Sequence, residues 1–170
     1  MAEIREAGAD AWQAMRDVRL AALRDAPQAF ASTYEREVAF TEADWQRRIA
    51  RGGSFLAYVP ELGTAPAGMA GGFEAGPGTI ELVSMWVRPQ ARGHGIGQAL
   101  VQAVVGWARA RGASRVHLWV TENNGHARLL YERCGFRPTA ERQPLPSDPE
   151  VTEIGMVHRF RGPPRLTASG

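Results

Sequence analysis

Residues Met85-Trp86-Val87-Arg88-Pro89-Gln90-Ala91-Arg92-Gly93-His94-Gly95-Ile96-Gly97-Gln98-Ala99-Leu100 decide how this chain is read. An apolar run enters a turn with glycine at every second position, and the turn opens straight into an amphipathic helical pattern. Glycine lets successive N–H groups point one way and lets a ligand approach the main chain closely. A helix start adds unsatisfied donors and partial positive charge, so the junction is suited to hold a phosphate or pyrophosphate. Two common phosphate loops are excluded by residue type. A Walker loop needs Gly-Lys followed by Ser or Thr, whereas Gly97 is followed by Gln98 and Ala99. The dinucleotide fingerprint needs a glycine three residues after its second one, but Gly95 leads to Gln98, and no acidic ribose ligand stands near Arg115-Val116-His117-Leu118.

Outward from this junction, residues 79–88 read as the longest strand. The following helix places Ile96, Leu100, Val104 and Trp107 on one face and ends near Gly112. Residues 116–121 form the next strand, 124–133 a short helix stopped by Gly135, and 136–142 and 151–160 two final strands. Upstream, residues 4–6 make a short strand. Residues 10–24 form a helix with Ala11, Met15, Val18 and Ala22 on one face, ended by Pro27. Residues 28–38 read as irregular, presenting Phe30 and Tyr34. A second helix starts sharply, with Thr41 and Asp44 at capping-box spacing and Phe40 and Trp45 at staple spacing, and runs to Arg51 before Gly52-Gly53. Strands at 54–59 and 67–73 follow. The order predicts an α/β chain with a mixed, mostly antiparallel sheet of seven strands and four helices. The strands at 79–88 and 116–121 flank one helix and are expected to be parallel neighbours. A single domain is expected over residues 1–161, with a disordered tail over 162–170.

The composition fits one folded domain: 170 residues, of which 44% are hydrophobic. No apolar run is long enough for a membrane span and no leader pattern opens the chain, so a cytoplasmic protein with no membrane partner is expected. The single cysteine, Cys134, excludes an internal disulfide, and scattered histidines argue against a metal site. All 20 basic residues are arginine and the net charge is only +2. That balance points to an anionic small-molecule ligand rather than nucleic acid.

A second stretch sharpens the reading: Val120-Thr121-Glu122-Asn123-Asn124-Gly125-His126-Ala127-Arg128-Leu129-Leu130-Tyr131-Glu132-Arg133-Cys134-Gly135-Phe136. Together with Arg92-x-x-Gly95-x-Gly97, this pair of motifs resembles the GNAT acyltransferase superfamily, most specifically from Glu81 to Phe136. The resemblance implies the GNAT acyl-CoA N-acyltransferase fold and acetyl-CoA as acyl donor. It further implies that Arg92, Gly93, His94, Gly95, Ile96, Gly97 and Gln98 hold the pyrophosphate, with His94 contributing its backbone N–H. Met85, Trp86 and Val87 would offer main-chain groups to the pantetheine arm, an N–H near Val87 would polarise the thioester carbonyl, and Asn124 would hydrogen-bond the pantetheine chain.

Acyl transfer from a thioester to an amine requires a base for the ammonium and an acid for the departing thiolate. Tyr131 matches the superfamily's general acid, and a phenol carries its proton at neutral pH. It also shares a helix face with Ala127, Leu130 and Cys134, which suits a packing role. Glu81 is the candidate base, an acidic residue among the apolar neighbours Ile80, Leu82 and Val83; its bland alternative is an edge carboxylate. Glu35, Glu37 and Glu122 are weaker alternatives.

The acceptor side is less legible. Phe30, Tyr34, Glu35 and Trp45 on one side, with Arg142 and Glu153 on the other, could frame a small amphipathic amine. The proline-rich residues 143–149 read as a long connection that could serve as a lid or as a homodimer contact. The leading expectation is an N-acetyltransferase acting on a primary amine of a small molecule by direct attack in a ternary complex. A protein N-terminal or lysine acetyltransferase, and a non-catalytic acyl-CoA-binding sensor, are the alternatives.

Overall fold

Apolar periodicity becomes structure in a computed structural model that describes residues 1–162. The strands are β1 (Glu3–Glu6), β2 (Ser54–Tyr58), β3 (Gly68–Gly76), β4 (Thr79–Val87), β5 (Arg115–Thr121), β6 (Arg137–Leu145) and β7 (Asp148–Arg159). The helices are α1 (Trp12–Asp25), α2 (Tyr34–Val38), α3 (Glu42–Ala50), α4 (Ile96–Ala110) and α5 (Gly125–Arg133). One sheet runs in the order β1-β2-β3-β4-β5-β7-β6. Every neighbouring pair is antiparallel except β4 and β5, which are parallel as expected. Among the described residues no helix is long and apolar enough to cross a membrane.

The two faces of the sheet bury two cores. The apolar stripe of α4, with Ile96, Leu100, Val101, Val104 and Ala108, packs with Ala57, Ala70, Ile80, Leu82, Val116 and Leu118. On the opposite face, Met15, Val18, Ala22 and Leu23 of α1 and Trp45 and Ile49 of α3 pack with Leu56, Met69 and Trp86. The α3 start is a complete capping box between Thr41 and Asp44, and the Phe40 and Trp45 rings meet edge to face at 5.6 Å.

Three expectations are corrected. The stretch at 28–38 contains a further helix, α2, capped by the Thr33 hydroxyl accepting from the Arg36 N–H at 3.3 Å. It escapes periodicity because the residue it turns fully inward is a charged one, Glu37. Phe30, read as presented, is buried in the core of the α1–α3 layer with the Arg19 guanidinium over its ring at 4.8 Å, although it lines the cleft described below. Residues 143–149 are no long connection: β6 continues to Leu145, which pairs with Asp148 across a tight turn. Prolines 138 and 144 are tolerated because β6 is an edge strand. Of the tail expected over residues 162–170, all but Gly162 lies outside the described residues.

A charged cluster sits inside the α1–α3 layer. Glu37 is fully buried and accepts from Arg19 Nε and Nη2 at 3.1 and 3.0 Å and from Arg48 Nη1 at 2.6 Å. Burial alone pushes this carboxyl up, but the hydrogen bonds and charges of the two arginines more than reverse that and hold it below its ordinary 4.5. A depressed folded-state pKa gives stability that is present above the ordinary carboxylate range and lost as pH falls through the lowered value. Glu37→Gln leaves two guanidinium groups facing a neutral amide and is expected to cost about 3–5 kcal/mol at neutral pH. Urea unfolding at pH 7 and at pH 3–4 tests this, since the variant's deficit should shrink on acidification.

Candidate functional site

Strands β4 and β5 pair only through Thr79–Arg115, Ile80–Val116 and Glu81–His117. Beyond Glu81 they part. β5 stays on β7 as far as Thr121–Glu153, while β4 stays on β3 as far as Val87–Gly68. A cleft of about 1250 Å³ opens in this gap, with Glu81, Met85, Val87, Trp119 and Tyr131 among its walls. In the middle of β4 the register shifts, so that Ser84 and Met85 oppose Ala70 alone. This is a β-bulge, and Ser84 adopts φ +60, a left-handed conformation rare outside glycine. After the bulge, the Arg88 N–H donates to the Ala67 carbonyl at 2.7 Å. Antiparallel alternation therefore turns the N–H and C=O of Val87 away from β3 and toward the gap. The Val87 carbonyl accepts from Arg92 Nε at 2.9 Å there.

At the mouth of the gap, a single turn at Pro89–Ala91 leads into Arg92, and Gly93 and Gly95 take φ +82 and +77. Gly95 is the N-cap of α4 without any side-chain cap. The main-chain N–H groups of Gly93, His94, Gly95, Ile96, Gly97 and Gln98 have no hydrogen-bond partner among the described residues. Six consecutive free amides at the positive end of a 15-residue helix are donors of the kind that suit an anion. Gly97 keeps its near wall open, since a Cβ there would sit 3.2 Å from both Met85 and Leu130. The His94 ring turns back onto the Arg92 carbonyl at 3.0 Å. Arg92 itself also binds Asp25 at 2.8 Å, and Asp25 accepts from the Trp86 indole N–H at 2.9 Å. Those two donors, the indole first, hold the Asp25 carboxyl below the usual range. Asp25 thus ties the end of α1 to both β4 and the loop. Sequence reading missed it, because nothing local marks a helix-end aspartate as a tether.

The far wall is α5. Asn124 caps it, its side-chain oxygen accepting from the Ala127 N–H at 3.1 Å, so the amide NH₂ is the group left for a ligand. Tyr131 is buried, meets Phe136 edge to face at 5.9 Å and still lines the cleft. Burial drives its phenol well above the ordinary value, with Cys134 adding to the effect. Packing and cleft exposure therefore coexist in one side chain.

Glu81 lies half-buried on the cleft floor with no hydrogen bond to another described residue. Its carboxyl is pushed up, first by burial and then by Glu153 and Glu141, against an opposing effect of His117. Glu153 is buried, lines the same cleft and accepts from Gln143 at 2.8 Å. Phe30 also reaches the cleft. Tyr34, Glu35 and Trp45 do not. Trp45 is fully buried among apolar side chains, Tyr34 is held by Arg24, and Glu35 is exposed in the first turn of α2. Glu37 is consumed by its two arginines, and Arg142 folds onto the Thr139 and Glu141 carbonyls. Arg19 and Ser84, unforeseen, line the cleft instead. The available signal was an arginine set between the apolar positions Val18 and Ala22 of α1. Among the described residues no three His, Cys, Asp or Glu side chains converge as a metal ion would require.

Comparison with known proteins bears on the family and the fold. The profile of the Acetyltransferase (GNAT) family matches residues 12–136. Mycothiol acetyltransferase of Beutenbergia cavernae is 45% identical over 62 residues, covering 36% of this chain and 21% of that protein. The Salinispora arenicola mycothiol acetyltransferase is 40% identical over 84 residues, 44% of this chain and 27% of the relative. The matched segment thus spans about a quarter of these curated relatives. Among solved structures, the GNAT-family acetyltransferase of Streptococcus pneumoniae superposes with a TM-score of 0.75 at 18% identity, covering 95% of this chain and all (100%) of that one. The PaiA N-acetyltransferase of Thermoplasma acidophilum, solved with coenzyme A, gives 0.71 at 13% identity, with 94% and 99% covered. At these identities the likeness shows the fold.

A methyl group at Gly95 would meet nothing within 4 Å, so Gly95→Ala acts only through the left-handed backbone. The strain is about 1–2 kcal/mol. Relief of that strain moves the loop away from the conformation that aligns its amides, so coenzyme A affinity should fall about fivefold to thirtyfold in calorimetric titration. Undiminished affinity would remove this loop from the ligand site.

Proposed function

Because the chain belongs to the GNAT family of acetyltransferases, we propose that it transfers an acetyl group from acetyl-CoA to a primary amine of a small molecule, by direct attack in a ternary complex. The observation that carries the proposal is the row of six partnerless amides, Gly93 to Gln98, set at the mouth of a gap whose floor carries the unpaired carboxylate of Glu81. The donor set suits a diphosphate: amides supply directed hydrogen bonds without a counter-charge that would have to be displaced. The Salmonella typhimurium YncA structure, with a TM-score of 0.72 at 18% identity over 98% of this chain and 99% of that one, holds acetyl-CoA as its cofactor.

Acetyl-CoA supplies a thioester carbonyl and a thiol leaving group. Glu81 takes one proton from the acceptor ammonium, and the freed nitrogen lone pair forms the N–C bond as the C–S bond breaks. The Val87 N–H, turned toward the gap, polarises the carbonyl oxygen. Tyr131 gives its hydroxyl proton to the departing sulfur, and the second proton shed by nitrogen balances that loss. The physical settings of the two groups support this division. Glu81, raised by burial, is a better base than an exposed carboxylate, and Tyr131, raised by burial, keeps its proton until a thiolate develops beside it. Asn124 offers its amide to the pantetheine arm. Glu153 and Phe30 would face the acceptor, a charge and an aromatic surface for an amphipathic amine.

Free-thiol release from acetyl-CoA across a panel of amino acids, amino sugars, polyamines and short peptides tests the reading. Thiol release with a small amine supports it. Release with peptides alone would assign a protein acceptor, and tight coenzyme binding without release would leave a sensor. Tyr131→Phe is expected to lower kcat about a hundredfold while acetyl-CoA affinity changes less than about twofold. Glu81→Gln should be most impaired at low pH, where the acceptor is protonated, and should recover as pH approaches the amine's own pKa. For the native enzyme the base limb of the kcat/KM profile should lie above the ordinary 4.5 of a glutamate, because the Glu81 shift is upward.

A further inference from the structure

The Arg19–Glu37 pair reaches beyond the layer in which it is buried. Arg19 is 7% exposed, and its guanidinium presents two edges to two different elements. Nε and Nη2 face Glu37 of α2, and Nη1 donates to the Ser84 hydroxyl at 3.0 Å. Ser84 is the bulge residue, and the only described non-glycine residue with positive φ. The Phe30 ring closes one face of the guanidinium at 4.8 Å. A buried ion pair is weak evidence for stability, since well-packed apolar residues of the same volume serve as well or better. A planar fork that can hold a carboxylate along one edge and a hydroxyl from another nitrogen is something only arginine supplies. Strained backbone of the Ser84 kind persists where its surroundings over-determine it.

We propose that Arg19 is a positioning residue for acyl transfer. Anchored by Glu37, it clamps the Ser84 hydroxyl and fixes the left-handed bulge that turns the main chain of Val87 into the gap. The inference rests on the reading of the Val87 N–H as the group that polarises the thioester carbonyl. The clamp spans α1, α2 and β4, so the orientation of one amide is set by a contact between residues 65 positions apart in sequence. Glu37 needs no contact with a reactant in this scheme; it orients and neutralises the guanidinium.

The test uses the full chain and two measurements, acetyl-CoA binding by calorimetry and thiol release from acetyl-CoA with the best acceptor of the amine panel, or with water where no amine serves. Arg19→Lys keeps a positive charge for Glu37 but gives up the second donor edge. It is expected to lower kcat about tenfold to a hundredfold with acetyl-CoA affinity and KM within about twofold, as misplacement of a reacting-centre group does. At Ser84 the expected order of kcat is native, then Ser84→Gly, then Ser84→Ala. Glycine takes φ +60 freely, whereas alanine keeps the Cβ conflict and loses the hydroxyl anchor. Adding Ser84→Gly to Arg19→Lys should recover part of the lost kcat. A merely structural contact predicts the opposite: loss of thermal stability in all three variants with kcat unchanged, or glycine the slowest. Either result overturns the inference while leaving the functional reading in place. A native protein that binds no acetyl-CoA removes both.

Discussion

The separation of β4 from β5 after three paired residues is the constraint on which the rest of this molecule depends. Two parallel strands in the middle of a sheet ordinarily satisfy each other's main-chain groups along their length. Here each strand can afford to leave its neighbour because each keeps another partner: β3 for β4 and the twelve-residue β7 for β5. The gap thus leaves main-chain groups on the facing edges of β4 and β5 without a strand partner. The free amides at the head of α4 continue the same logic past the end of β4. Strand, loop and helix start together leave a run of main-chain donors without a partner among the described residues.

Around this gap the chain treats its charges in two opposite ways. Arginine guanidinium groups are repeatedly used as forked ties: Arg19 joins Glu37 to Ser84, and Arg92 joins Asp25 to the Val87 carbonyl. Both ties end on the arm of β4 that borders the gap, and both start from α1 or its neighbours. Glu81 and Glu153, in contrast, stand in the cleft without a salt bridge to any cationic side chain among the described residues. Carboxylates that are tied have depressed pKa values, and the one left on the floor is raised. The difference separates carboxylates that tie elements together from one that has no such tie among the described residues.

The glycine-loop end and the Glu81 end of the cleft are built from different materials. The first is local backbone: glycine conformations, a helix start and strand alternation, all within Met85–Ala110. The second is assembled from side chains of α1, β4, β5 and the β6–β7 hairpin, with Phe30 and Glu153 far apart in the chain. A family likeness accordingly speaks for the first half with more force than for the second. The curated relatives match over only 62 and 84 residues.

What the chain declares by itself follows the same division. The seven strands, their parallel pair, the glycine loop and the capped start of α3 were legible, because each depends on residues adjacent in sequence or at helical and strand periods. The α2 helix was not, since the residue it buries is a charged one and hydrophobic periodicity is blind to it. Trp45 and Tyr34 looked available to a ligand, yet packing against α1 and the hold of Arg24 took them away. Asp25, Arg19 and Ser84 carried no local mark, for their meaning lies in which strand they touch. Sequence determined most of the elements and the glycine turn before α4 because those are short-range backbone properties. Only the tertiary structure decided which side chains reach the gap and which hold β4 in place, because burial and pairing of charges are settled by contacts between distant segments.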